Sequence, residues 1–398
     1  MTAGNLPLSG VTILDLSQIQ SGPLCSMLLG DLGAGVVKVE EPRAGEAGRT
    51  MGCLIRGEST IFLGLNRNKK SLTLNLRDER GRGILYRLVA KSDVFLHNFV
   101  PGTAERLRVD YESLQRVNPG VICCAISAFG ECGPLREKPA IDLIVQGMTG
   151  VMAITGDEEG PPTKVGYAVP DVTAALLATV GILIGLLHRR ETGRGRKITI
   201  SMYDAQVWSL AARLGEALLT GVPLRRTGNE HPQIAPYDVY QSSDQRQVSV
   251  AAFNEKLWRR LCQALGREDL LADPRFGTNR DRVVNRTALR TELEAVFRQR
   301  TAAEILQLLE HADVPCGPVL EFSEVVAGLP TVSPTMLLEV EHPTVGRVPM
   351  VGLPIKLEGV PERPATAAPR LGAHTSEILR DLGMAAEEID ALRRDAVV

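Results

Sequence analysis

At 398 residues, with 44% hydrophobic and 23% charged residues, the chain is long enough for two cores and balanced like a soluble globular protein. A formal charge of -2 gives no electrostatic reason to expect nucleic acid or an anionic membrane surface as a partner. The seven cysteines are scattered without a Cys-x-x-Cys pair, which argues against a zinc site and a disulfide framework and for a reducing cytosol.

The chain begins MTAGNLPLSG, without the basic start and apolar run of a secretory leader. Alternation of short apolar strands with helical stretches predicts an α/β domain with a largely parallel sheet. Strands are expected over 11–16, 36–40, 72–76, 94–97 and 121–126, with helices over 23–32, 80–90 and 104–117 between them. Next comes an apolar helix opening at Asp171 and closing on His188, Arg189 and Arg190. Its longest uncharged run, 172–187, falls short of the ~20 residues that span a bilayer, so it reads as a buried helix. A strand over 197–201 and a long helix over 203–219 follow.

From about residue 225 the texture changes. A loop over 227–237 leads to a hairpin-like pair and helical stretches near 254–265, 281–298 and 301–312, a smaller α+β domain. The expected organisation is a large domain over 1–200, a linker helix over 201–224, the small domain over 225–325 and a segment over 326–398 that returns to the large domain. That last segment holds two strands, 337–341 and 348–351, a proline-rich arm over 361–369 and two closing helices.

The glycines of Gly30-Asp-Leu-Gly33-Ala-Gly35 lie after a helix and before a strand. A dinucleotide fingerprint needs the opposite order, so these read as a helix C-cap and not as a nicotinamide site. Asn66-Arg-Asn-Lys-Lys70 reads as a basic loop, either a solvated turn or, with Arg43, Arg49 and Arg77, a cradle for phosphates. His97-Asn98-Phe99 stands at a strand end, where α/β folds bind ligands. No Gly-x-Ser-x-Gly elbow occurs. Asp171 suits a helix N-cap, and the same carboxylate, kept ionised at a positive helix end, is a competent nucleophile toward an activated acyl group.

Ordered blocks along nearly the whole chain decide between these readings. They include Leu8-Ser-Gly-Val-Thr-Ile-Leu-Asp15, Gln20-Ser-Gly-Pro23, Leu32-Gly-Ala-Gly-Val-Val-Lys-Val-Glu40 and Asp93-Val-Phe-Leu-His-Asn-Phe-Val-Pro-Gly102. Gly130-Glu-Cys-Gly-Pro134, Asp171, Thr192-Gly-Arg-Gly195, Glu341-His-Pro-Thr-Val-Gly346 and Leu371-Gly-Ala-His-Thr375 complete the set. With them the chain resembles the class III CoA-transferases of the CaiB/BaiF type. The resemblance implies a Rossmann-like large domain, a smaller α+β domain, an interlocked homodimer, acyl-CoA and a small carboxylic acid as substrates, and no tightly bound cofactor.

The resemblance further implies Asp171 as nucleophile and Gln20 as an amide donor beside the reacting carbonyl. It assigns Arg43, Leu74, Arg77, Asn98, Phe99, Arg106 and Lys138 to CoA. Glu41 stands where formyl-CoA transferase has a CoA-binding arginine, Met51 and Ile61 where it has aromatic residues, and its glycine-rich small-domain loop is missing. The closer similarity is to succinyl/glutarate-type enzymes, so a succinyl-type donor and a small dicarboxylate acceptor are expected. One rival is an α-methylacyl-CoA racemase, but Ala140-Ile141-Asp142 lacks the proton-transfer histidine of that enzyme's Gly-His-Asp triplet. The other is a non-catalytic CoA-binding paralogue, against which Asp171 and Gln20 both argue.

Overall fold

The structure, a computed structural model, describes residues 6–398. The reading of the N-terminus as no secretory leader falls partly on residues 1–5, outside the described residues. The chain divides into two compact units. One comprises the N-terminal stretch to Thr149, Val165–Leu218 and Leu329–Val398; the other comprises Gly150–Lys164 and Leu219–Gly328.

In the first unit, six strands form one parallel sheet: β1 (Thr12–Asp15), β2 (Gly35–Glu40), β3 (Lys69–Thr73), β4 (Val94–His97), β5 (Ile122–Ser127) and β6 (Lys197–Ser201). Their order is β3-β2-β1-β4-β5-β6, that of Rossmann sheets. Successive residues point to opposite faces, and both faces are covered, which explains the unbroken apolar runs in the sequence. Leu14, Leu72, Phe95 and Cys123 pack on one side with Leu85 and Leu88, and Ile13, Val94, Ile122 and Cys124 on the other with Leu29 and Ile182. The strand order reverses between β1 and β4, so a crevice is expected where the loops after Asp15 and His97 diverge.

Three helices frame that region: α1 (Ser21–Asp31), α2 (Asp142–Met148) and α3 (Val169–Thr192). By length and composition alone α3 is apolar enough to cross a membrane. Its Ala174, Ala178 and Ile182 are buried in the core beside the sheet. Leu176, Val180, Ile184 and Leu187, spaced at three to four residues, are 50–64% exposed. The expected buried helix is therefore buried along one face only.

Other expectations shift locally. β3 starts three residues earlier than predicted. The predicted 104–117 helix splits into Thr103–Leu107 and Tyr111–Val117, because Arg108 turns left-handed (φ 57) and Asp110 caps the second piece, its carboxylate accepting from Ser113 N at 3.0 Å. The predicted 203–219 helix is two, Met202–Ser209 and Ala211–Thr220. The proline-rich arm over 361–369 carries neither helix nor strand. Arg363 Nη1 donates to Gly30 O (2.6 Å) and Ala34 O (2.8 Å), capping the end of α1. Residues 366–375 then follow β3: Asn68 N donates to Thr366 O (3.1 Å), His374 N to Ser71 O (3.0 Å) and Thr73 N to Thr375 Oγ1 (3.1 Å).

The second unit has an antiparallel sheet of Tyr237–Gln241, Gln247–Ala251 and Cys316–Pro318. Helices Glu255–Leu265, Arg286–Phe297 and Ala302–His311 enclose a core around Trp258, Phe276 and Phe297. The helix predicted over 281–298 is interrupted at Asn285.

Candidate active site

Asp171 lies in the first turn of α3, whose cap is Ala168 and whose second residue is Pro170. It is therefore the third helical residue, not the N-cap that sequence reasoning allowed. Its carboxylate faces the backbone N–H and the hydroxyl of Ser21, the first residue of α1, and both favour its ionised form. Two helix N-termini thus converge on one carboxylate, an arrangement that favours negative charge. Gln20 occupies the N-cap position of α1, without a side-chain cap bond, and directly precedes Ser21.

Burial works against that charge. It pushes the Asp171 carboxyl up to about 6, Asp142 on α2 adds like-charge repulsion, and the two Ser21 donors oppose the shift. The helix end is expected to favour the ionised form; burial and Asp142 outweigh that effect, so the carboxyl sits above an ordinary aspartate while remaining ionised at neutral pH. A carboxylate near 6 is ionised at neutral pH yet poorly solvated, which raises its nucleophilicity.

Asp142 and Gln146 were missed as site residues. Gln146, fully buried, donates to Asp142 Oδ2 (2.7 Å), and its Oε1 accepts from Val165 N (2.9 Å). It thereby ties α2 to the loop that enters α3. Their one-turn spacing on a helix was the available signal. If Asp171 must be ionised to react, kcat/KM falls as pH drops through about 6. Asp142→Asn removes the repulsion and moves that acid limb down by about half to one pH unit, read from pH–rate profiles.

Five of the seven residues expected to hold CoA line two cavities, and Asn98 and Lys138 line neither. Arg43, Leu74, Arg77 and Phe99 line one of ≈ 740 Å³ at the C-terminal ends of the strands flanking the switch point. Glu41, in place of an arginine, accepts from the N–H groups of Arg43 (2.9 Å) and Ala44 (2.7 Å), forming the turn that sets Arg43 at the cavity wall. Arg106 lies in a second cavity of ≈ 620 Å³, which shares Phe99. His97 lines it too, stacked on Phe99 at 5.0 Å, with burial and Lys197 pushing its imidazole down to about 4. Asn98 commits its side chain to the backbone of Gln18, accepting from N and donating to O, both at 2.8 Å. Lys138 lines neither cavity and reaches Met148 Sδ at 3.8 Å. Asp171 also lines neither.

The basic loop 66–70 is neither a solvated turn nor a phosphate cradle. Arg67 grips Asp31 (Nη2–Oδ2 2.5 Å, Nε–Oδ1 3.0 Å), and Lys69, fully enclosed, binds Asp15 (3.0 Å), Asn66 Oδ1 (2.8 Å) and Pro23 O (2.9 Å). Lys38 is equally buried, 3.8 Å from Asp15 and 3.7 Å from Glu46. These cations answer carboxylates 8 to 54 residues away, on other elements of the fold, a relation no local pattern reveals.

Residues 8–375 match the model of CoA-transferase family III. The chain is 39% identical to an acetyl-CoA:oxalate CoA-transferase of Acetobacter aceti, over 92% of this chain and 93% of that one. It is 36% identical to the succinyl-CoA:glutarate CoA-transferase of Mus musculus, over 94% and 86%. A CaiB/BaiF family protein from Brucella suis superposes with a TM-score of 0.85 at 34% identity, over 95% of this chain and all of that one.

Proposed function

The chain belongs to CoA-transferase family III, and from that premise we propose that Asp171 carries CoA transfer as a covalent nucleophile. The enzyme moves CoA from an acyl-CoA to a carboxylic acid. What supports the finer reading is the place of the Asp171 carboxylate, in the first turn of α3 and facing the Ser21 N–H and hydroxyl at the start of α1, with burial raising its pKa to about 6.

In the proposed course, an Asp171 oxygen attacks the donor thioester carbonyl and CoA thiolate leaves, giving a mixed anhydride. The thiolate attacks the aspartyl carbonyl, releasing the donor acid and leaving an aspartyl-CoA thioester. The acceptor carboxylate attacks that thioester and expels thiolate again. Attack of the thiolate on the new acyl group yields product acyl-CoA and restores the Asp171 carboxylate. Each step exchanges one activated acyl group for another, so neither hydrolysis nor a nucleotide is required. Gln20, at the same helix start, supplies an amide donor to the oxyanions.

Arg43 and Arg77 suit the phosphates of CoA, since guanidinium groups give charge-assisted bonds, and Leu74 and Phe99 offer it an apolar wall. Asn98, Arg106 and Lys138 complete the proposed set. A small dicarboxylate acceptor is supported by the relatives named for oxalate and glutarate, and a succinyl-type donor by the second of these. The cytosol is the proposed compartment, consistent with seven free cysteines. The working form is proposed to be a homodimer that covers the apolar stripe of α3; sedimentation of a monomer at micromolar concentration would refute it.

The test is trapping. Incubation with succinyl-CoA and hydroxylamine converts an activated aspartyl carbonyl to a hydroxamate, a mass change confined to the peptide carrying Asp171. An unmodified peptide, with acyl exchange still running, removes the covalent mechanism.

A further inference from the structure

Between β1 and α1 the chain makes a turn in which every residue is clamped. Ser17 donates its N–H to Asp15 Oδ1 (2.9 Å), its hydroxyl bonds the same oxygen, and its carbonyl accepts from buried Lys38 Nζ (2.8 Å). Gln18 is held at both backbone atoms by Asn98. Gly22 closes over Ser17 so tightly that a Cβ there would lie 2.1 Å from the Ser17 Cβ.

Ile19, between them, adopts φ +67. For a β-branched residue this is an outlier, and it persists only where neighbours hold it. What holds it is Glu46, whose Oε2 accepts the Ile19 N–H at 2.9 Å. Glu46 is buried, and its other oxygen faces Lys38 Nζ at 3.7 Å. The residue after Ile19 is Gln20, and the next is Ser21, whose N–H and hydroxyl face Asp171 and favour its ionised form.

Glu46 also lines the ≈ 740 Å³ cavity, where a carboxylate is a poor neighbour for a polyanionic ligand. A plainer role is on the page: the same Oε2 accepts Gly48 N at 2.7 Å and caps the short turn Ala47–Thr50. That cap accounts for one bond. It leaves unexplained why the same oxygen spans 27 residues to an isoleucine held in a disfavoured conformation.

We propose that Glu46 is a positioning residue for acyl transfer, holding the strained Ile19 turn so that Gln20 and the Ser21 donors meet Asp171. The proposal rests on the reading of Asp171 as nucleophile. It predicts that loosening this one hydrogen bond withdraws the Ser21 donors, so Asp171 ionises less readily and reacts more slowly, while CoA still binds. Asp142 is the charged group recorded against Asp171, and it stays unchanged in every variant below.

Two variants separate positioning from support of the fold. Glu46→Gln keeps the reach of the acceptor and weakens it by removing charge. Glu46→Asp keeps the charge opposite Lys38 and draws the oxygen back by one methylene, so it folds even if Glu46→Gln does not. In the folded variants kcat falls roughly ten- to hundredfold, donor KM stays within about threefold, and the acid limb of kcat/KM rises by about half to one pH unit. Adding Ile19→Gly, which accepts positive φ at no steric cost, restores most of kcat and returns the limb. An unmoved limb, a loss confined to KM, or a double variant as impaired as its parent overturns the proposal. Hydroxylamine trapping on the unaltered enzyme runs alongside. Failure there removes the nucleophile itself, whereas normal trapping with unmoved variants removes only the role of Glu46.

Discussion

Asp171→Asn is expected to abolish acyl exchange and to make the protein more stable. The amide is no nucleophile toward a thioester, so kcat drops on the order of 10⁴-fold or more, as when other covalent nucleophiles are removed. The stability gain follows from the direction of the shift. The Asp171 carboxyl is raised to about 6 in the fold against 3.8 for an unperturbed aspartate, so the folded state binds the proton more tightly than the unfolded chain does. Stability from this group is therefore present below pH 3.8 and lost as pH climbs to about 6. At pH 8 the ionised carboxylate costs up to about 3 kcal/mol, which the neutral amide does not incur. Thermal melts at pH 8 and pH 4 check this: the variant melts higher at pH 8, and the difference shrinks at pH 4. Equal melting at both values, or exchange within tenfold of the unaltered enzyme, contradicts the assignment.

The second large effect lies beneath the site. Asp15 is completely buried and answers two buried ammonium groups, Lys38 and Lys69, besides the hydroxyls of Ser17 and Ser26. Burial alone raises its pKa, but the two lysines and two hydroxyls outweigh it and hold the carboxyl far below the ordinary range. Asp15→Ala leaves Lys69 with only neutral partners and Lys38 with a single carboxylate at 3.7 Å. The expected loss is about 3–5 kcal/mol, roughly a fifth or more of the stability of an ordinary domain. Chemical denaturation measures it. Lys69→Met with Asp15→Leu, which removes the central pair together, is expected to recover much of the loss. A double variant as unstable as Asp15→Ala argues that packing, not charge, holds this corner.

How much of this was legible in sequence depends on the range of the interaction. The parallel sheet was, because doubly buried strands are written as apolar runs such as Val11 to Leu16. Helix breaks were less so: Arg108 and Asn285 end helices through backbone conformations that their residue types do not demand. Asp171 stood out only once the ordered blocks around it were read together, since an acid opening a helix is ordinarily a cap. Ser21 carried no signal of its own, and Asp142 and Gln146 only their one-turn spacing. Each matters through a partner on another element, and the polar loop 66–70 misled for the same reason.

The course of the C-terminal arm has a consequence for how this protein is made. The outer rim of β3 is covered by residues 366–375, which the ribosome adds 293 residues after Thr73. At ~5–20 residues per second that interval lasts roughly 15–60 s. Throughout it the nascent sheet exposes open backbone donors and acceptors, the condition under which strands of neighbouring chains join. Lys70, pointing outward from that strand, is then the main guard against such joining. In the finished protein it meets Glu377 at 2.6 Å, so a guard of the unfinished chain becomes a clasp of the completed one.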